Sequence, residues 1–442
     1  MLSRDMLSIH WALWKLSMIL DRFSSVVFIA LLAGGAAAKY MAIAASNGGD
    51  DLLYSDIPRS IMLLQGRNPY LVAQWHSPYP PFLFVVVGGI LWIAGGGGLQ
   101  SGSNPTSLSV EIRLVGLVAD LLVGFLIFLV LRFQRCSGLG LLGPVGLYLF
   151  LPPIGLLPYS VFHADIFGRL IMAAGLLVLV LGRYFVGTVL LTVSVIFKVH
   201  PLLALLLLLV WLVRRNGLAR VLPSLTVSGM ILMIGLVLPL WIPGYAASFI
   251  GYNLSTGFGS GTFSFSLMNL FYGILPAVFS LDLSTSTINV IWIVATAALF
   301  LLGLGYVWAK SSVLSSVDVV LLGLLVWLLP LRELYDWYVI WAMIPLLMRG
   351  RLLQSVIICG ILEFANILGG WVFNIPGNPF PEMSSVYGFF ITSLVYAILN
   401  TLTLVFVLRS STRLVSRDWT APSLTSKKPL HKVSWESPLM AW

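Results

Sequence analysis

Charge is scarce in this chain: Asp, Glu, Lys and Arg make up 9% of 442 residues, against roughly 25% in an ordinary soluble domain. That excludes a soluble enzyme and a disordered regulator. Cysteine is nearly missing too. The two present, Cys136 and Cys359, sit in apolar stretches and offer no disulfide framework, which excludes a secreted disulfide scaffold. No P-loop and no Rossmann fingerprint is found. No cleavable signal peptide is expected, because the first long apolar run begins near Phe23 and is long enough to span a bilayer. What is abundant is apolar residues, 59% of the chain, with a mean hydropathy of +0.99. Lipid permits only helices or closed barrels. The apolar runs are too continuous for barrel strands of ~10 alternating residues. The expected fold class is all-α: a polytopic integral-membrane helical bundle.

The net charge is +9, from 25 Lys+Arg against 16 Asp+Glu, but its distribution argues against nucleic acid. The cations fall in small groups between apolar runs: Arg4, Lys15 and Arg22; Arg132/Arg135; Arg183; Arg214/Arg215/Arg220; Lys310; Arg349/Arg351; and a tail from Arg409 to Lys432. Such groups mark the cytoplasmic side. With that constraint the spans are expected near 23–45, 112–131, 139–158, 166–182, 184–197, 200–213, 221–242, 288–308, 317–331, 337–348, 352–373 and 387–408. This gives about twelve crossings with both termini inside. The runs 79–98 and 266–281 read as interfacial helices on the outer side. In domain terms, 1–22 is a cytoplasmic segment, 23–408 the transmembrane domain with outer loop 1 at 46–111, and 409–442 a basic, disordered cytoplasmic tail.

Polar chemistry then concentrates on the outer face. In outer loop 1, Asp56 with Pro58 reads as a helix start, Ile57, Ile61 and Leu64 as one apolar face, and Gly66 as the stop. Asp50 and Asp51 have no such duty; they are either solvated or a carboxylate base. The pair also leaves room for a divalent metal, a weak signal because two carboxylates offer few oxygen ligands. Lys198 and Arg332 stand at outer span ends, where snorkelling to headgroups is the bland alternative to holding an anion. His163 and His200 are open between structural and chemical roles. Tyr338, Trp337 and Trp341 are either a ligand platform or an interfacial aromatic belt. Asp120 and Glu363 lie mid-span, where an ion is costly and suggests either a transport path or a neutralised, buried group.

Five segments, in order, resemble the GT-C membrane glycosyltransferases that use polyprenyl-phosphate sugars, with a likeness to GPI mannosyltransferase I and, more loosely, the family 87 mannosyltransferases. They are the acidic loop followed by Gly66-Arg67-Asn68-Pro69-Tyr70 and Tyr79-Pro80-Pro81; Asp120-Leu121-Leu122; His163-Ala164-Asp165; Phe197-Lys198-Val199-His200-Pro201; and Asp336-Trp337-Tyr338 with Trp341, preceded by Arg332. The likeness covers roughly 45–345. The chain departs from it in three places: Asp50-Asp51-Leu52 stands for a D-x-D, and His163 and His200 for Asn and Tyr.

The resemblance implies a GT-C-like bundle that transfers a hexose, mannose by the likeness, from a polyprenyl-phosphate donor such as dolichyl phosphate mannose. The acceptor is a hydroxyl on a lipid- or protein-linked molecule at the extracytoplasmic or lumenal face, and the transfer inverts. Asp50 leads as base, with Asp51 as partner and Asp165 as a second acid. Lys198, His200 and Arg332 are the cations for the departing phosphate, with His163 and Tyr338 at the substrate. The membrane is a plasma membrane or one of endoplasmic-reticulum type, and membrane lipids are the other partner. The competing readings are a lipid-linked sugar flippase and a non-catalytic scaffold subunit.

Overall fold

The computed structural model describes residues 19–46, 51–71, 79–94, 105–150, 165–249, 285–328, 336–350, 352 and 354–357. Every element among them is helical, and the chain is an all-α membrane bundle. The α-helices are α1 Ser24–Ala44, α2 Ile57–Leu64, α3 Pro81–Ala94, α4 Pro105–Phe133, α5 Gly138–Phe150, α6 Asp165–Val180, α7 Tyr184–Phe197, α8 Leu202–Asn216, α9 Leu218–Leu232, α10 Thr285–Lys310, α11 Ser316–Leu328 and α12 Asp336–Met348. These are not the twelve expected spans. The short α2 and α3 lie in outer loop 1, and the expected spans at 352–373 and 387–408 fall almost wholly outside the described residues. Four helices are long and apolar enough to cross a membrane by length and composition: Ser24–Ala44, Ser107–Phe133, Leu218–Trp241 and Ile293–Lys310. Between α1 and α4 lie a π-helical turn at Asp51–Asp56 and α2; α9 continues through a π turn at Met233–Val237 into a 3₁₀ turn at Leu238–Trp241.

Small residues let the helices approach. α6 and α7 form the most extensive pairing, where a methyl on Gly175 would lie 3.1 Å from the Gly187 carbonyl oxygen. α8 crosses α11 at Gly323, whose Cβ position falls 2.7 Å from the Ala204 amide nitrogen. In lipid, where apolar surface gains little from leaving its solvent, such close packing is what joins helices. Hydroxyl bonds add to it: Thr192 on α7 and Ser228 on α9 meet at 2.8 Å.

The helix directions sort the cations. Short connections join α4 to α5, α6 to α7, α8 to α9 and α10 to α11, and each is flanked by a basic residue: Arg132 and Arg135, Arg183, Arg214 and Arg215, and Lys310. The C-terminus of α12 comes to the same end, since a side chain on Gly350 would meet Cys136 and Leu131. There Arg349 pairs with Asp318 at 2.8 Å. Asp318 also accepts the Ser315 amide and hydroxyl at 3.1 and 2.7 Å, and Ser315 Oγ accepts the Asp318 amide at 3.1 Å, a reciprocal cap at the start of α11. The bundle therefore has a basic end. Among the described residues, Tyr79, Asp165, Lys198 and His200 lie toward the other.

Outer loop 1 corrects one expectation. Asp56 does not cap α2: it has helical φ and ψ of −72° and −46°, no side-chain capping bond, and follows directly from the π turn. It is fully buried. Gly66 does end the helix, at φ +70°, a left-handed conformation that glycine adopts at no steric cost. Of the expected apolar face only Ile57 is buried, while Leu64 is exposed.

Candidate functional site

At the end opposite the basic groups, α6 begins with Asp165 and α7 ends before Lys198. Their antiparallel packing brings the two side chains together: Lys198 Nζ lies 2.6 Å from Asp165 Oδ2, with both side chains at or below 2% exposure. The Lys198 ammonium also lies 4.9 Å from the centre of the Tyr79 ring and 3.5 Å from its hydroxyl. An aromatic face and a carboxylate thus share one desolvated cation. Snorkelling is excluded for Lys198, because its ammonium is turned into protein rather than toward headgroups.

Tyr79 is held there by the segment before it. Asn68 Oδ1 accepts the Tyr70 amide at 2.9 Å, and Asn68 Nδ2 donates to the Pro243 carbonyl at 2.8 Å, tying loop 1 to the chain beyond α9. Arg59 Nε donates to the Pro69 carbonyl at 3.2 Å, and its Nη1 bonds Ser55. The Tyr70 hydroxyl donates to the Tyr79 carbonyl at 3.1 Å, and its ring meets Tyr245 edge-on at 4.9 Å between centres. Burial pushes the Tyr70 hydroxyl far above its ordinary range, with Tyr245 adding and Arg59 opposing, so it remains a donor. The Gly66–Tyr70 segment is therefore a brace for Tyr79.

His200 completes the group in the turn between α7 and α8. Its Nδ1 accepts a 2.9 Å bond from Trp327 Nε1 on α11, and its ring meets Trp341 of α12 edge-on at 6.2 Å. Burial, then Lys198, hold the imidazole well below its usual pKa, with Asp165 opposing. That direction favours the neutral imidazole over the imidazolium. Trp341 is fully buried, and a side chain on Gly168 would strike its ring at 2.8 Å. That takes Trp341 out of any aromatic belt.

A second buried group lies on α1, α4 and α5. Asp120 accepts an ion pair from Lys39 and a 2.6 Å hydrogen bond from the Tyr148 hydroxyl, and the Lys39 ammonium lies 5.3 Å from the Tyr148 ring centre. The mid-span carboxylate is buried and paired with a cation. Arg169, one turn along α6 from Asp165, is buried, and its Nε and Nη1 have no hydrogen-bond partner among the described residues. Arg113 closes the C-terminal end of α1, donating from Nη1 to the Ile43 carbonyl at 3.1 Å, the Ser46 carbonyl at 3.0 Å and the Ser46 hydroxyl at 2.8 Å.

Of the expected site residues, Asp165, Lys198 and His200 converge. The side chains of Asp51 and Tyr338 lie outside the described residues, as do Asp50, His163 and Arg332 altogether, and Glu363 with them. The sequence reading assigns no role to Tyr79, Lys39, Arg113 or Arg169, which the structure places in or beside these buried groups. Their signal was available: a cation inside an apolar span needs a partner. Among the described residues no group of three His, Cys, Asp or Glu side chains could hold a metal ion.

No family model matches the chain, and no curated protein matches it. Two solved structures align with most of it. One is ArnT from Cupriavidus metallidurans bound to undecaprenyl phosphate, at 16% identity and a TM-score of 0.46, covering 88% of this chain and 73% of that one. The other is the same protein in the apo state, at 15% identity and a TM-score of 0.46, covering 88% and 74%. Likeness of this degree carries no argument about the chemistry of this chain.

Proposed function

We infer that the chain is a membrane glycosyltransferase that moves a hexose, mannose by its sequence resemblance, from a polyprenyl-phosphate donor to a hydroxyl acceptor on the non-cytoplasmic face. The observation that carries this reading is the buried Lys198–Asp165 pair with Tyr79 and His200 around it. Four of the five resembling segments, far apart in the chain, send a side chain to this group: Tyr79, Asp165, Lys198 with His200, and Trp341. Structural ion pairs alone give no reason for that coincidence.

In the reaction the acceptor hydroxyl gives its proton to a carboxylate, Asp50 or Asp51. Its oxygen attacks the anomeric carbon in line, and the bond from that carbon to the phosphate oxygen breaks with its electron pair leaving on the phosphate. The configuration inverts. Lys198 and Arg332 stabilise the leaving phosphate, the largest kind of catalytic contribution in a dry site, and Asp165 sets the position of Lys198. His200 acts as a neutral hydrogen-bonding group.

The flippase reading has one observation in its favour, the ionisable groups Lys39 and Asp120 within spans. They neutralise each other and bond Tyr148, which suits a clamp between α1, α4 and α5 better than a moving charge. Purified protein in lipid nanodiscs, given a panel of polyprenyl-phosphate sugars and acceptors, decides between these. The expected result is sugar on an acceptor, abolished in Asp50→Asn or Asp51→Asn at unchanged abundance. Lipid crossing without transfer sinks the enzyme reading in favour of the flippase; neither activity leaves a scaffold.

A further inference from the structure

The buried groups toward the non-basic end do not balance in charge. Five described cations, Lys39, Arg59, Arg113, Arg169 and Lys198, face three described carboxylates, Asp56, Asp120 and Asp165, and all are at or below 2% exposure. Lys39 has Asp120, and Lys198 has Asp165. Arg169 is ion-paired with neither among the described residues: its charge acts on the Tyr148 hydroxyl, while its Nε and Nη1 are buried with no hydrogen-bond partner there. A guanidinium in that state destabilises the protein that contains it.

Its position supplies the reason. Arg169 follows Asp165 by four residues on α6, so their side chains rise from the same face with Cβ atoms about 5–6 Å apart. The guanidinium is long enough to fold back to that carboxylate, yet Asp165 reaches across to Lys198 on the next element. We propose that Asp165 is shared between two cations, pairing with Lys198 in the resting protein and passing to Arg169 when an anion draws Lys198 away, so that Arg169 is a positioning residue for the site. The exchange keeps a cation beside the carboxylate in both states. What draws Lys198 away rests on the function inferred above, a phosphate of the donor; the exchange itself does not.

A double-mutant cycle on thermal midpoints of the full-length, ligand-free protein tests the exchange. Arg169→Met alone should leave the midpoint unchanged or raise it. Lys198→Ala alone should lower it modestly, because Asp165 moves to Arg169. The double variant should lower it at least twice as far as Lys198→Ala, and Lys198→Ala with Arg169→Lys should fall between. In an Asp165→Asn background the two effects should become additive, which keeps the test readable if the double variant does not fold. Additive effects with Asp165 present overturn the exchange. So does a drop in Arg169→Met as large as that in Lys198→Ala, which would make Arg169 a structural partner of its surroundings. Binding of a short-chain polyprenyl phosphate is measured separately: the wild type should bind, and Arg169→Met should bind at least tenfold more weakly. A wild type that binds nothing defeats the donor assignment and leaves the stability cycle standing.

Discussion

A buried charge is only as stable as its partner, and two residues here make that measurable. Removing Asp120 takes the carboxylate away from the buried Lys39 ammonium, so Asp120→Ala should cost about 3–5 kcal/mol, while the joint change Lys39→Met with Asp120→Leu should recover most of it. Chemical denaturation in detergent reads both, and equal losses in the single and joint variants would show that the pair holds nothing together. His200 gives a pH signature. Its folded pKa lies well below the ordinary 6.5, so the unfolded chain binds a proton that the folded chain refuses. The fold then keeps its full stability above about pH 6.5 and loses it as pH falls below that value. Between about pH 7.5 and about pH 5.5, the thermal midpoint of the wild type should fall further than that of His200→Gln. At this scale the sequence was legible where a residue type had a single physical use. Asp165 and Lys198 could be named from their segments, but that each was the other's partner could not, because the pairing depends on how α6 and α7 are packed. Arg169 was hidden for the opposite reason, as one more residue in an apolar run.

At the scale of elements, hydropathy and charge fixed more than they did for the site. The short apolar segments at 184–197 and 200–213 match α7 Tyr184–Phe197 and α8 Leu202–Asn216, with the Lys198–Pro201 hinge between them. A hinge there was readable because Pro201 cannot extend a preceding helix. The Asp56 cap was misread since the preceding residues continue as a π turn, which leaves no free amide for the carboxylate to accept. Which helices touch was not legible, because small residues occur on many faces and only the packed bundle selects Gly323 over its neighbours. There the added methyl of Gly323→Ala would press on the α8 backbone, which cannot rotate away. The expected cost is about 1–3 kcal/mol, against no measurable change for Gly305→Ala, where open space surrounds the new carbon. Thermal midpoints of the two variants compare the positions directly. The brace of loop 1 makes an element-level prediction for function. Asn68→Ala frees the loop from Pro243, so Tyr79 should lose its place over Lys198, and donor KM should rise more than kcat falls. A loss confined to kcat would separate the brace from the site.

For the whole molecule, the polarity of the bundle decides whether the proposed chemistry can occur at all. Polyprenyl-phosphate donors are used where their sugar faces, and the Asp165–Lys198 group lies at the end away from Arg132, Arg183, Arg214 and Lys310. If positive residues keep to the cytoplasm, that group opens to the other side. Two exposed positions at opposite ends, Gln65 in outer loop 1 and Ser137 between α4 and α5, report this without disturbing the buried network. In a background with Cys136 and Cys359 replaced, Gln65→Cys should react with a membrane-impermeant maleimide on intact cells, and Ser137→Cys only after permeabilisation. The opposite pattern would put the polarity of charges at odds with insertion, turn Lys198 toward the cytoplasm, and remove the case for extracytoplasmic sugar transfer. Labelling of both on intact cells would mean that the chain inserts in two orientations, and an activity assay on such a mixture would then report on only the fraction whose Asp165–Lys198 end faces the added substrates.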